Sequence, residues 1–159
     1  MLSDSDIVYI FKILLNKDLD PREAYSYKNH SLENLKRHIY NSKEFKDFRN
    51  IHLEKVRVIV ENEIGMKYSG INFEKFWKEL ITLKYDLDKF RIYVKNILNN
   101  LRQQYREFYK KYLLIDKEIS PNELSAIIRS NCSVEFYIST SDFFLEKCDI
   151  VIENLLDQM

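Results

Sequence analysis

The sequence predicts an all-α fold, and three observations carry that prediction. Apolar residues recur at spacings of three and four along most of the 159-residue chain, the period of a helix with one buried face. Ser, Asp and Pro stand where helices must begin, because a short side-chain oxygen satisfies an orphan N–H and Pro has none to lose. No run of strict two-residue alternation marks a strand. The expected architecture is an antiparallel helical bundle of about seven or eight helices, with two related helical units joined by a long helical hairpin. The first unit is 1–64, the linker and central hairpin 65–105, and the second unit 106–159, sharing one core.

The elements follow in order. Ile7, Ile10, Phe11, Leu14 and Leu15 line one face of a first helix, with Ser3 or Asp4 as its cap. Asp20-Pro21-Arg22-Glu23 opens a second, with Glu23 placed to close a capping box. Ser31 caps a short third helix carrying Leu32, Leu35 and Ile39. Ser42 caps a long fourth with Phe45, Phe48, His52, Val56, Ile59 and Val60, and Gly65 is placed to terminate it. The linker, 65–70, holds both glycines.

Asn72 can cap a helix bearing Phe73, Phe76, Trp77, Leu80 and Ile81. Asp86 or a neighbour restarts a long one, whose stripe runs Phe90, Val94, Ile97, Leu101, Tyr105, Phe108 and Tyr112. Ser120-Pro121-Asn122-Glu123 repeats the cap, Pro and Glu pattern. Ser133 precedes a short apolar stretch, 134–138. Ser141 caps the last helix, with Phe144, Leu145, Cys148, Val151, Ile152 and Leu155 expected to face inward.

Composition narrows the function classes. Apolar residues make up 45% and charged residues 31%, enough for a packed core. Twenty-five Lys and Arg balance twenty-five Asp and Glu, which argues against a general polyanion binder. Two glycines cannot build a Gly-rich phosphate cradle. The N-terminus lacks the basic and apolar regions of a signal peptide, and no apolar run reaches membrane-spanning length. A cytoplasmic chain, or one inside a viral particle, is the expectation. Lys, Ile, Asn and Tyr are abundant and have AT-rich codons, pointing to an AT-rich source such as a low-GC microbe or a large DNA virus.

The two prolines fall in matching contexts. Leu14-Leu15 leads to Asp20-Pro21, and Leu113-Leu114 leads to Ser120-Pro121. Downstream, Ser31-Leu32-Glu33 parallels Ser133-Val134-Glu135, and Ser42-Lys43-Glu44-Phe45 parallels Ser141-Asp142-Phe143-Phe144. The shared positions are caps and core residues, so the pattern reads as an internal repeat that specifies a fold.

This order of anchors resembles the phycobilisome-linker-like helical domain of unknown function found in bacterial secreted repeat proteins and glycosyltransferase chains. The likeness covers about residues 7–48 and 106–147. It keeps Ser42-Lys43-Glu44-Phe45 but replaces the family's Leu-Leu-Gly-Arg with Leu14-Leu15-Asn16-Lys17 and Leu113-Leu114-Ile115-Asp116. The resemblance implies an accessory module that mediates contacts rather than catalysis.

Chemical motifs are sparse. His30, His38 and His52 lack metal-ligand spacing, so no metal site is expected. Cys148 sits on an apolar stripe and Cys132 in a loop; both read as thiols without a catalytic base. Acid pairs such as Glu61 with Glu63 and Asp86 with Asp88 read as helix-end charges. No catalytic residue and no cofactor is predicted, and the chain reads as a non-enzyme.

Two basic stretches stand out. Residues 36–57 carry seven basic against three acidic side chains, among them Lys43, Lys46 and Arg49. Arg102 and Arg106 begin the second, followed by Lys110 and Lys111. A nucleic-acid-associated helical protein using these faces is the alternative reading. The leading one is a protein–protein interaction module, a small adaptor or structural subunit of a larger assembly. A minor capsid or scaffold component of a large DNA virus is its concrete form. Its partners would be other protein subunits, including further copies of itself. The heavy load of Tyr and Phe supports it, because Tyr suits half-wet interfaces. Phe73, Trp77, Tyr105 and Tyr109 are its expected contact residues.

Overall fold

The computed structural model describes residues 2–159. Among them the chain forms nine α-helices, one 3-10 turn and no strand. The helices are α1 (Asp4–Leu15), α2 (Pro21–Ser26), α3 (Leu32–Tyr40), α4 (Lys43–Ile64), α5 (Trp77–Thr82), α6 (Leu87–Leu113), α7 (Pro121–Ser130), α8 (Val134–Ser139) and α9 (Asp142–Asp157). None of the described helices is long and apolar enough to cross a membrane.

The stretch 134–138, too short to show a period, closes as α8 because the Ser133 hydroxyl accepts the Phe136 N–H at 3.0 Å. The segment after Asn72 departs from expectation. It begins as a 3-10 turn, Phe73–Phe76, and α5 follows from Phe76, whose side chain has no oxygen to cap it.

Capping is otherwise as the residue types dictate. Ser3 with Asp6, and Ser120 with Glu123, form reciprocal capping boxes at α1 and α7. At α2, Asp20 accepts the Arg22 N–H at 2.8 Å, while Glu23 lies 3.7 Å from the Lys17 ammonium instead of closing a box. Asp86 accepts from the Asp88 and Lys89 N–H groups and starts α6. Gly65 ends α4 at φ +82, where a side chain would be strained, and its N–H donates to the Glu61 carbonyl at 2.9 Å.

The chain divides into two compact units. One holds the chain up to Ile59 together with Phe73–Arg91; the other holds Val60–Asn72 and Ile92–Met159. In the first, Ile7, Phe11 and Leu15 of α1 pack with Leu19, Ala24, Leu35, Ile39 and Phe45. Each of the Ile, Leu and Phe side chains contributes about 1.5–3 kcal/mol by leaving water. Beside this core, Phe48, His52, Trp77 and Tyr85 form an aromatic cluster, with Trp77 6.0 Å from Phe48 and 5.9 Å from Tyr85. Lys84 and Tyr85 both have positive φ, a turn costing roughly 1–3 kcal/mol per residue. The buried Tyr85 ring and its hydroxyl, which donates to the Ile13 carbonyl, hold that turn.

In the second unit, Tyr105 and Tyr109 pack with Ile127, Val134 and Ile138, flanked by Leu101, Phe108, Leu113, Ile119, Tyr137 and Phe144. A buried polar node fixes the loop after α4. Glu61 accepts the Ser69 N–H at 3.2 Å, and the Ser125 hydroxyl donates to the Ser69 carbonyl at 3.0 Å. All three residues are buried, so each bond satisfies a group that water cannot reach.

Candidate functional site

The four expected contact residues do not form a surface. Trp77 is half-buried, edge-on to Phe45, Phe48, His52 and Tyr85. Phe73 is half-buried in the 3-10 turn. Tyr105 and Tyr109 are wholly enclosed, their rings 4.9 Å apart. The polar tip of Tyr105 meets protein instead of water: its hydroxyl donates to Glu123 at 2.6 Å and accepts from Lys117 at 2.5 Å. Both tyrosines, read as half-wet interface residues, are therefore core residues, and the polar tip of Tyr105 has internal partners.

Those partners set the local electrostatics. Burial and the Glu123 carboxylate push the Tyr105 hydroxyl up, so it stays protonated and donates. Burial by itself would raise Glu123. Hydrogen bonds from Tyr105 and Ser120, with the Lys117 charge, outweigh it and hold the carboxyl below its usual value.

Of the basic residues expected on a nucleic-acid face, three are engaged. Arg49 pairs with Glu74. Arg102 reaches the Glu63 carbonyl at 2.5 Å and the Asn99 side chain at 2.8 Å. Arg106 grips Asp116 through two bonds of 2.6 and 3.0 Å. Lys43 and Lys46 stand exposed at the start of α4. At Arg49 and Arg106 a phosphate would compete with a carboxylate already in place.

The histidines sit as follows. His30 and His38 are 6.0 Å apart beside Tyr27, over a shallow hollow with Asn34, Arg37 and Asn41. His52 packs on Phe48 at 4.1 Å. Its Nδ1 lies 2.9 Å from the Phe48 carbonyl, which can only accept, so Nδ1 carries the proton. Burial holds its pKa below the usual value near 6.5. Cys132 and Cys148 are free and half-buried. Among the described residues no group of three or more His, Cys, Asp or Glu is placed to hold a metal ion.

The feature that sequence reasoning missed is α9. Its stripe was expected to face inward, and the structure corrects this: α9 has no buried residue. Phe143 and Phe144 hold its start, 5.8 Å from Tyr109 and 5.5 Å from Phe108. From Asp149 onward every residue is exposed. Leu145, Val151, Ile152, Leu155 and Leu156 present a continuous apolar surface to solvent. Periodicity identifies an apolar face, but does not say that anything covers it.

Comparison of the chain with protein-family models, with curated proteins and with solved structures finds no match.

Proposed function

We propose that this protein is a non-enzymatic protein–protein interaction module, a small adaptor or structural subunit of a larger assembly, and that α9 is its contact element. The open apolar face of α9 carries this reading. Exposed apolar patches of this kind on globular proteins mark interaction sites. The last nine helical residues, 149–157, are all exposed, and so short a stretch of helix is marginal in water without burial. A partner that covers the face supplies the missing burial.

We also read the fold as two related helical units in an antiparallel bundle, 1–64 and 106–159, joined by a helical hairpin over 65–105. Several local features support this. Ile7, Phe11 and Leu15 of α1 match Tyr105, Tyr109 and Leu113 of α6 at a constant offset. Asn16 and Leu114 then both turn left-handed, and the next N–H reaches back six residues in each, Lys17 to Phe11 and Ile115 to Tyr109. This register pairs Leu15 with Leu113, one residue away from the match of the Leu-Leu pairs. Further on, Leu35, Ile39, Ser42 and Phe45 correspond to Val134, Ile138, Ser141 and Phe144. The likeness to linker-like helical domains points the same way, toward contact rather than catalysis.

The test is a photoreactive residue at Ile152, introduced in the native source. A discrete covalent adduct with a protein is expected. Absence of any adduct, while the same probe at exposed Lys78 behaves identically, overturns the reading.

A further inference from the structure

We propose that the occupant of the α9 face is α9 of a second copy, paired antiparallel about Ile152. This rests on the reading of α9 as the contact element and names its partner.

The first argument compares α9 with α4. Both start at a serine whose hydroxyl donates back to an isoleucine carbonyl, Ser42 to Ile39 at 2.6 Å and Ser141 to Ile138 at 2.7 Å. Each serine also accepts the N–H of a phenylalanine three residues on, Phe45 or Phe144. Counted from these caps, Val56 corresponds to Leu155. Val56 is 0% exposed, whereas Leu155 is 58% exposed. The same helical face is closed in α4 and open in α9.

The second argument is the pattern of the open face. Leu145, Cys148, Ile152 and Leu155 are spaced three, four and three apart, the seam of paired helices, with Cys148 half-buried and the other three exposed. None is charged, so two copies can meet without burying an ion. The charges of α9, five acidic and one basic, lie mainly on its other side. An acidic helix is repelled by anionic lipid and by phosphate, which disfavours a membrane surface and a nucleic acid as occupants.

Area and charge then select the arrangement. At the exposures found, the apolar side chains of α9 offer on the order of 500 Å² per chain, or about 1,000 Å² for a pair, the lower edge of a specific interface. A weak, concentration-dependent dimer is what such an area sustains. Antiparallel pairing about Ile152 separates the two Asp149 side chains by about 9 Å along the axis and opposes the helix dipoles. Parallel pairing would set the two Asp149 level.

The experiment is light scattering of the full chain over a concentration series, with cysteine cross-linking in a Cys132→Ser, Cys148→Ser background. The mass is expected to rise from 19.3 kDa toward twice that value. Ile152→Asp is expected to weaken association at least tenfold and to lower the helical circular dichroism by no more than the last turns of α9, since the site is exposed. Ile152→Cys is expected to oxidise to a dimer, and Leu145→Cys, which lies seven residues from the centre of the antiparallel pair, is not. A monomer at every concentration overturns self-pairing. It leaves the contact reading standing if a probe at Ile152 still captures a different protein, and both fall if it captures none. A cross-link at Leu145→Cys overturns the antiparallel arrangement.

Discussion

Lys117 meets Tyr105 through the hydroxyl and not over the ring. Its Nζ is 2.5 Å from the Tyr105 oxygen and 5.0 Å from the ring centroid, distances that place it near the ring plane. The ring faces that Lys117 approaches are those of Tyr109, at 5.5 Å, and Phe143, at 5.2 Å. Glu123 completes the cluster, accepting from Tyr105 and lying 3.4 Å from Lys117. Lys117 belongs to the segment between α6 and α7, so the cluster ties that connection to both helices and to the start of α9.

Tyr105→Phe keeps the buried ring and removes the hydroxyl from Glu123 and Lys117. The expected cost is about 1–3 kcal/mol, because an enclosed hydroxyl loses hydrogen bonds to two charged groups. For a chain of this size each kcal/mol lowers the melting midpoint by about 2–4 °C. Glu123 adds a pH signature. Its folded pKa is depressed below the usual 4.5, so its contribution is full above that value and is lost as pH falls through the folded pKa. Thermal melts at pH 7 and pH 3 should show a smaller acid loss in Tyr105→Phe than in the wild type.

His52 gives a second pH dependence, at higher pH. Its folded pKa lies below 6.5 through burial, so the unfolded chain binds the proton first. Stability from this site is present above pH 6.5 and falls as pH drops below it. His52→Phe retains an aromatic ring against Phe48 and Tyr85 and removes the titrating group. The variant's melting midpoint is expected to be flatter than the wild type's between pH 7 and pH 5. An equal slope in both would place the titration elsewhere.

The paired caps invite a paired test. Ser42→Ala and Ser141→Ala should each cost about 1 kcal/mol, since both remove the acceptor for a Phe N–H. The phenylalanines should differ. Phe45 is buried and its change to Ala should cost about 3–5 kcal/mol. Phe144 is half-buried, and its change should cost at most about half of that. Urea denaturation of the four variants measures all these values.

Binding to a polyanion column should be weak and should depend on Lys43 and Lys46. With Arg49, Arg102 and Arg106 held by acidic or carbonyl partners, only Lys43 and Lys46 remain of the five residues read as the nucleic-acid face, and these two account for a slope of about −2. Lys43→Glu with Lys46→Glu is expected to abolish retention, and Arg106→Gln to leave it unchanged. A steep slope carried by the arginines would restore the nucleic-acid reading.

How much of this was legible in the sequence depends on the range of the forces involved. Helix starts are local: a hydroxyl or carboxylate oxygen reaches an N–H two or three residues away, so Ser3, Asp20, Ser31, Ser42, Asp86, Ser120 and Ser141 announce themselves. The repeated caps and the left-handed stop at Gly65 were legible for the same reason. Arg49 with Glu74 and Tyr105 with Glu123 were not, because those partners are far apart in sequence and meet only when helices pack.

The amino-acid sequence by itself determined that this protein is helical, where most helices begin, and which side of each is apolar, because capping and the 3.6-residue period act within a few turns. Only the tertiary structure decided which apolar sides are used. Val56 and Leu155 occupy equivalent places on α4 and α9, yet one is sealed and the other open. Burial is a property of what packs on a face, and no residue of the helix itself encodes it.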